Sequence, residues 1–155
     1  MKFSTQEDMD RPISDVFEML STFEDLEAAA VRRGAAVQRL DDLPVPGVGM
    51  KWQTQFVMRG QGRVLDMEMI KYDPPNGIVL DMVSQGLQGE TQVDLTALSE
   101  TRTRIAVGVE VRPKTVAMRL LLRSLKLTKA SLAHRFKERV ARHLKDLEQQ
   151  YNSKA

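Results

Sequence analysis

The stretch "LQGETQVDLTALSETRTRIAVGVEVRPKTVAMRLLLRSL", residues 87–125, decides the fold. Its first part alternates, with Val93 and Leu95 opposing Gln92 and Asp94. Successive side chains of a strand point to opposite faces, so this period of two predicts a half-buried strand. After the turn signal "SETR", Ile105, Val107, Val109 and Val111 oppose Arg104 and Glu110 in a second strand. At Pro113 the period changes to that of a helix, with Met118, Leu121, Leu122 and Leu125 on one stripe. Proline suits the first turn of a helix.

Upstream, the period of two continues. "MKWQTQFVM", "RVLDMEMIKY" and "GIVLDMVS" are separated by "RGQG", "DPPNG" and "QGLQG", turn chemistry for antiparallel neighbours. No joint is long enough for a crossover helix, which predicts an antiparallel meander. Trp52, Phe56, Met58, Leu65, Met67, Met69, Ile78, Leu80 and Met82 fall on one face, with Lys51, Gln53, Gln55, Asp66, Glu68 and Asp81 on the other. A sheet with one oily face needs a cover. Downstream, Leu132, Phe136, Val140, Leu144 and Leu147 extend the helical stripe. One continuous helix from about Thr115 to Tyr151 would reach roughly 50 Å and is the expected cover.

The first third adds a strand in "KFSTQ", a short helix in "PISDVFEML" and a second in "STFEDLEAAAVRRG". The second is expected to open with a capping box from Ser21 to Glu24 and to stop at Gly34. "AVQRLDD" is a short strand, and "LPVPGVG" is a loop. The sum is an α+β domain over residues 1–155, with seven antiparallel strands, two short helices after the first, and one long C-terminal helix.

The chain has no cysteine, which excludes disulfides, thiolate metal sites and a cysteine nucleophile. "MKFSTQEDMDR" contains no apolar run resembling a signal peptide, so the expected compartment is the cytoplasm. A net charge of +2 conceals a polarity: residues 1–110 sum to −7 and residues 111–155 to +9. Such a cationic segment either faces solvent or attracts anions. The one aromatic among Arg119, Arg123, Lys126, Arg135, Lys137, Arg142 and Lys145 is Phe136, which belongs to the apolar stripe, so no nucleic-acid partner is expected. Leu120 and Leu127 stand outside the main stripe beside Arg123, a ridge suited to transient contact with a membrane surface. Packing against the two short helices accounts for the same leucines and is the preferred expectation. The oligomeric state is not legible.

Strand, two short helices, six antiparallel strands and a long terminal helix is an order that resembles the helix-grip fold. The motifs "RPISDVFEML", "VGMKWQTQF", "YDPPNGIVL" and "LSETRTRIAVGVEV" follow in that order, and the resemblance to the START, pollen-allergen and polyketide-cyclase superfamily (SRPBCC) spans nearly the whole chain. The resemblance implies a curved sheet wrapped around the long helix, enclosing a hydrophobic cavity. It implies binding of lipids, sterols, polyketides or other apolar molecules, with cyclase or dehydratase activity in some members.

The candidate ligand-binding residues are Trp52, Phe56, Met58, Met67, Met69, Leu80, Met82, Leu122, Leu125 and Lys129. The methionines supply flexible, polarizable surface that accepts varied apolar shapes, though ordinary core filling uses them too. Trp52 follows the Pro/Gly loop and either contacts a guest or closes one end of the fold. Lys129 sits mid-stripe, where an ammonium would anchor a carboxylate, phenolate or carbonyl, or would snorkel to water at the rim. His134 and His143 lie nine residues apart on a helix, about half a turn out of phase, so they cannot ligate one metal. No metal and no cofactor is expected, and no catalytic arrangement is recognisable. The residues favour binding of a small, mostly apolar ligand between sheet and terminal helix. Two alternatives stay open: a cyclase or dehydratase-type enzyme using Lys129 with Tyr72 or Thr91, and a lipid-surface or partner-binding module.

Overall fold

The structure is a computed structural model that describes residues 1–154. Seven strands form one antiparallel sheet: β1 (Lys2–Met9), β2 (Ala36–Arg39), β3 (Lys51–Met58), β4 (Gln61–Asp73), β5 (Gly77–Ser84), β6 (Leu87–Ser99) and β7 (Arg102–Pro113). Their lateral order is β1-β7-β6-β5-β4-β3-β2. The meander thus runs from β2 to β7, and β1 closes onto β7. Because β1 and β2 lie at opposite edges, α1 (Ile13–Ser21) and α2 (Phe23–Arg32) must cross between them. Tight turns set the register; at the β3–β4 turn Arg59 and Gly60 both have positive φ, at 52° and 77°.

The register confirms the two faces. Trp52 sits opposite Met67, Met67 opposite Met82, and Leu80 opposite Met69 and Thr91. The other face carries a row of carboxylates, Glu68, Asp81, Glu90 and Glu110, neighbours across β4 to β7. Lys51 and Lys2 bracket that row, 3.4 Å from Glu68 and 3.8 Å from Glu110.

Two local expectations are corrected. The capping box at α2 does not form: Thr22 is the cap residue, without a side-chain cap bond. The Ser21 hydroxyl instead donates to the carbonyl of Phe17 at 2.8 Å, spending itself on the end of α1. The terminal helix is also not continuous. It divides into α3 (Val116–Leu125), a 3-10 turn at Lys126–Thr128, and α4 (Lys129–Lys154). Ser124 and Thr128 donate to the carbonyls of Leu121 and Leu125, at 2.7 and 3.1 Å. Hydroxyls that bond to preceding carbonyls disturb the regular ladder there.

The packed core lies at one end of the sheet. Met9, Val16, Phe17, Phe23, Met50, Trp52, Met69, Ile78, Leu95, Ile105, Leu144 and Leu147 are all buried there, joining α1, α2 and the last part of α4. Polar ties reinforce the same end. Arg11 bonds Glu148 at 2.8 Å and also Asn152, its guanidinium 5.3 Å from the Tyr151 ring centre. Lys154 meets Asp25 at 2.5 Å.

Candidate functional site

Toward the other end the concave face is not filled. On β7, Ile105 is fully buried, whereas Val107, Val109 and Val111 on the same face are only half-buried. The same step occurs along β5, from buried Ile78 to half-buried Leu80 and Met82, and along β3, from Trp52 to Phe56. Above this open end lies α3, which has no buried residue at all.

An apolar cavity of about 150 Å³ opens where the closed end meets the open one. It is walled by Phe23, Leu26, Glu27 and Ala30 of α2, Val37 of β2, and Trp52, Thr54, Met67 and Leu80 of the sheet. The four α2 residues recur at helical spacing, so one face of that short helix lines the space. Glu27 is the one carboxylate in this lining. Its Oε1 accepts the indole N–H of Trp52 at 2.8 Å, and the Trp52 ring packs on Phe23 with centres 5.4 Å apart and planes tilted by 51°. Behind the indole, the Arg39 guanidinium lies 5.9 Å from the ring centre and grips Asp41 through two bonds of 2.7 and 2.9 Å. That grip holds the Asp41 carboxyl far below its usual range, helped by the backbone N–H groups of Lys51 and Leu43. The indole is thus held by Glu27, Phe23 and Arg39 together, which orients the cavity wall.

The sequence-predicted residues divide among distinct places. Trp52, Met67 and Leu80 line the cavity. Met69 is fully buried in the core. Phe56, Met82, Leu122 and Leu125 are half-buried, while Met58 is 49% exposed beside the β3–β4 turn. Lys129 is exposed. With Leu122, Arg119, Arg123, Lys126, Met1 and Pro113 it lines a separate, open cavity of about 400 Å³. No side-chain hydrogen bond among the described residues joins Lys129 to Tyr72 or Thr91. Tyr72 packs on Phe17 at 5.5 Å, and the Thr91 hydroxyl bonds the Met82 sulfur at 3.3 Å.

Leu120 and Leu127 are 59% and 92% exposed, so they do not pack on α1 and α2 as expected. His134 reaches Glu138 at 2.9 Å on the outer surface. His143 is half-buried, and burial first, then nearby Arg33, pushes its pKa below the ordinary value. Among the described residues no helix is long and apolar enough to cross a membrane.

Sequence reading missed Glu27. The signal was present: Phe23, Leu26, Glu27 and Ala30 are spaced i, i+3, i+4 and i+7 on one helical face.

No family model and no curated relative matches the chain. Solved structures do match in fold. Protein TTHA0849 of Thermus thermophilus superposes with a TM-score of 0.67 at 16% identity, covering 100% of this chain and 99% of that one. The Zhui aromatase/cyclase of a Streptomyces species gives 0.64 at 11% identity, covering 97% and 94%. A Thalictrum flavum norcoclaurine synthase point mutant bound to a transition-state analogue gives 0.64 at 14% identity, covering 92% and 95%. Sheet order, the paired short helices and the terminal helix agree with the resemblance drawn from the motifs. The chain has the helix-grip fold, which it shares with these solved structures.

Proposed function

We propose that this protein is a cytoplasmic carrier or sensor of a small, mostly apolar molecule, an isoprenoid, lipid or polyketide-like compound. The reading rests on one observation: the apolar concave face is buried beneath α1 and the end of α4, opens into a cavity beneath α2, and is left half-covered toward α3. Half-covered Phe56, Leu80, Met82 and Val107 retain apolar area that a guest would remove from water. The 150 Å³ cavity matches one ring or one isoprene-sized unit. Ligand pockets usually run from about 300 to 1,000 Å³, so the rest of a guest would lie along the open face beneath α3. Removing about 300 Å² of apolar guest surface from water would contribute several kcal/mol.

A thermal-shift series over fatty acids, isoprenoids, quinones and polyketide-like aromatics tests this. A fitting class raises the melting temperature in proportion to log concentration. Ala30→Leu, which fills the cavity from α2, should stabilise the empty protein and abolish that shift. A flat response to every class would remove the proposal.

Glu27 favours a second reading. A carboxylate held on an indole inside an apolar cavity is a candidate proton acceptor, and the aromatase/cyclase shares the fold. Turnover of a polyketide-like substrate that Glu27→Gln leaves unchanged would dismiss it.

A further inference from the structure

Residues 111–137 carry eight lysines and arginines and no carboxylate. None of the eight takes part in a salt bridge among the described residues. The middle of this run is α3 and the 3-10 turn, neither of which has a buried residue. Several of its apolar side chains are turned to water: Val116 is 70% exposed, Leu120 59% and Leu127 92%. These three fall within about a ninth of a turn of one line along the helix axis. Arg119 and Lys126 lie about a quarter turn to one side of that line and Arg123 about a ninth of a turn to the same side, around the open 400 Å³ cavity. The remainder of the molecule is polarised to match. The row Glu68, Asp81, Glu90 and Glu110 lies on the sheet face turned away from the helices. An anionic plane would therefore attract the α3 side and repel the back of the sheet.

We propose that α3 and its 3-10 turn form a docking surface for anionic phospholipid bilayers. In this arrangement Val116, Leu120 and Leu127 enter the interfacial region, and Arg119, Arg123 and Lys126 meet the lipid phosphates. Docking would bring the open end of the concave face toward the bilayer, since α3 lies over that end. Exposed leucine at the centre of a basic run distinguishes a lipid surface from a soluble polyanion, which offers leucine nothing to enter. The inference uses surface residues only and does not depend on what the cavity holds.

The test is sedimentation of the purified full chain with vesicles of phosphatidylcholine, alone or with about a third phosphatidylglycerol. Binding should require phosphatidylglycerol and weaken as salt shortens the screening length. The triple change Arg119→Gln, Arg123→Gln and Lys126→Gln should lower partitioning roughly a hundredfold. The pair Leu120→Ser and Leu127→Ser, which removes the apolar side chains without changing the charge, should remove most of the binding while leaving the melting temperature unchanged. Ala30→Leu, which blocks the cavity, should still bind, so failure of docking and failure of the carrier proposal are read separately. Failure of wild type to sediment with anionic vesicles would overturn docking. So would binding that the leucine pair does not disturb, because plain polyanion attraction then explains it. A dimer in gel filtration that the leucine pair dissolves would overturn it too, assigning the surface to a second copy instead.

Discussion

Two buried-edge residues carry most of the chemistry that single substitutions can probe. Trp52 gives its indole N–H to Glu27 at 2.8 Å and packs at a tilt on Phe23. Trp52→Phe keeps an aromatic body but leaves the carboxylate without its donor. An unpaired group of this kind costs about 1–3 kcal/mol. The urea midpoint should fall accordingly, and adding Glu27→Leu to Trp52→Phe should recover part of the loss. His143 reports on pH. Its folded pKa lies below the ordinary 6.5 because burial, then Arg33, disfavours the charged ring, with Asp146 opposing. The unfolded chain therefore takes up the proton first as pH falls. The neutral ring's contribution is complete above pH 6.5 and declines as pH drops from there toward the folded value. Urea midpoints across that window should show this slope in wild type and a shallower one in His143→Leu. Equal slopes would refute the assignment.

At the scale of elements, the start of α3 depends on a glycine in the turn before β6. Gly86 has φ of +74°, its carbonyl accepts the Lys114 N–H at 2.7 Å, and Thr115 caps α3 through the Met118 N–H at 3.2 Å. A Cβ at Gly86 would come within 2.8 Å of Met118 and 3.0 Å of Thr115. Gly86→Ala should cost about 1–2 kcal/mol and speed hydrogen exchange within Val116–Leu125 more than elsewhere. Uniform protection in the variant would show that this turn does not anchor the helix. Two-residue periodicity marked every sheet element, because a half-buried strand must alternate whatever its neighbours do. The break at Lys126–Thr128 was less legible. Ser124 and Thr128 are tolerated in a helix until their hydroxyls turn back onto carbonyls.

Over the whole molecule, stability should be graded along the strands. Ile105 and Val109 share β7 and share a face, yet one is sealed and the other half-covered. Ile105→Ala is expected to cost about 3 kcal/mol and Val109→Ala about 1 kcal/mol, a larger loss per carbon at the closed end. A bound guest should raise the cost at Val109 and leave that at Ile105 unchanged. Equal sensitivity per carbon in the empty protein would mean that the concave face is packed throughout.

Seven strands, two short helices and a terminal helix were all determined by local pattern, since the need to bury one face imposes a period on each element independently. The polarity between an acidic sheet and a basic terminal segment was likewise written in the sequence. Which charge among apolar neighbours faces a cavity was decided only by the tertiary structure. Lys129 and Glu27 both interrupt an apolar helical stripe, but α2 packs on β2 and faces β3 to β5 across the cavity while the start of α4 is not covered. A helical stripe states that a residue shares a face; the packing partner alone states whether that face meets protein, cavity or water.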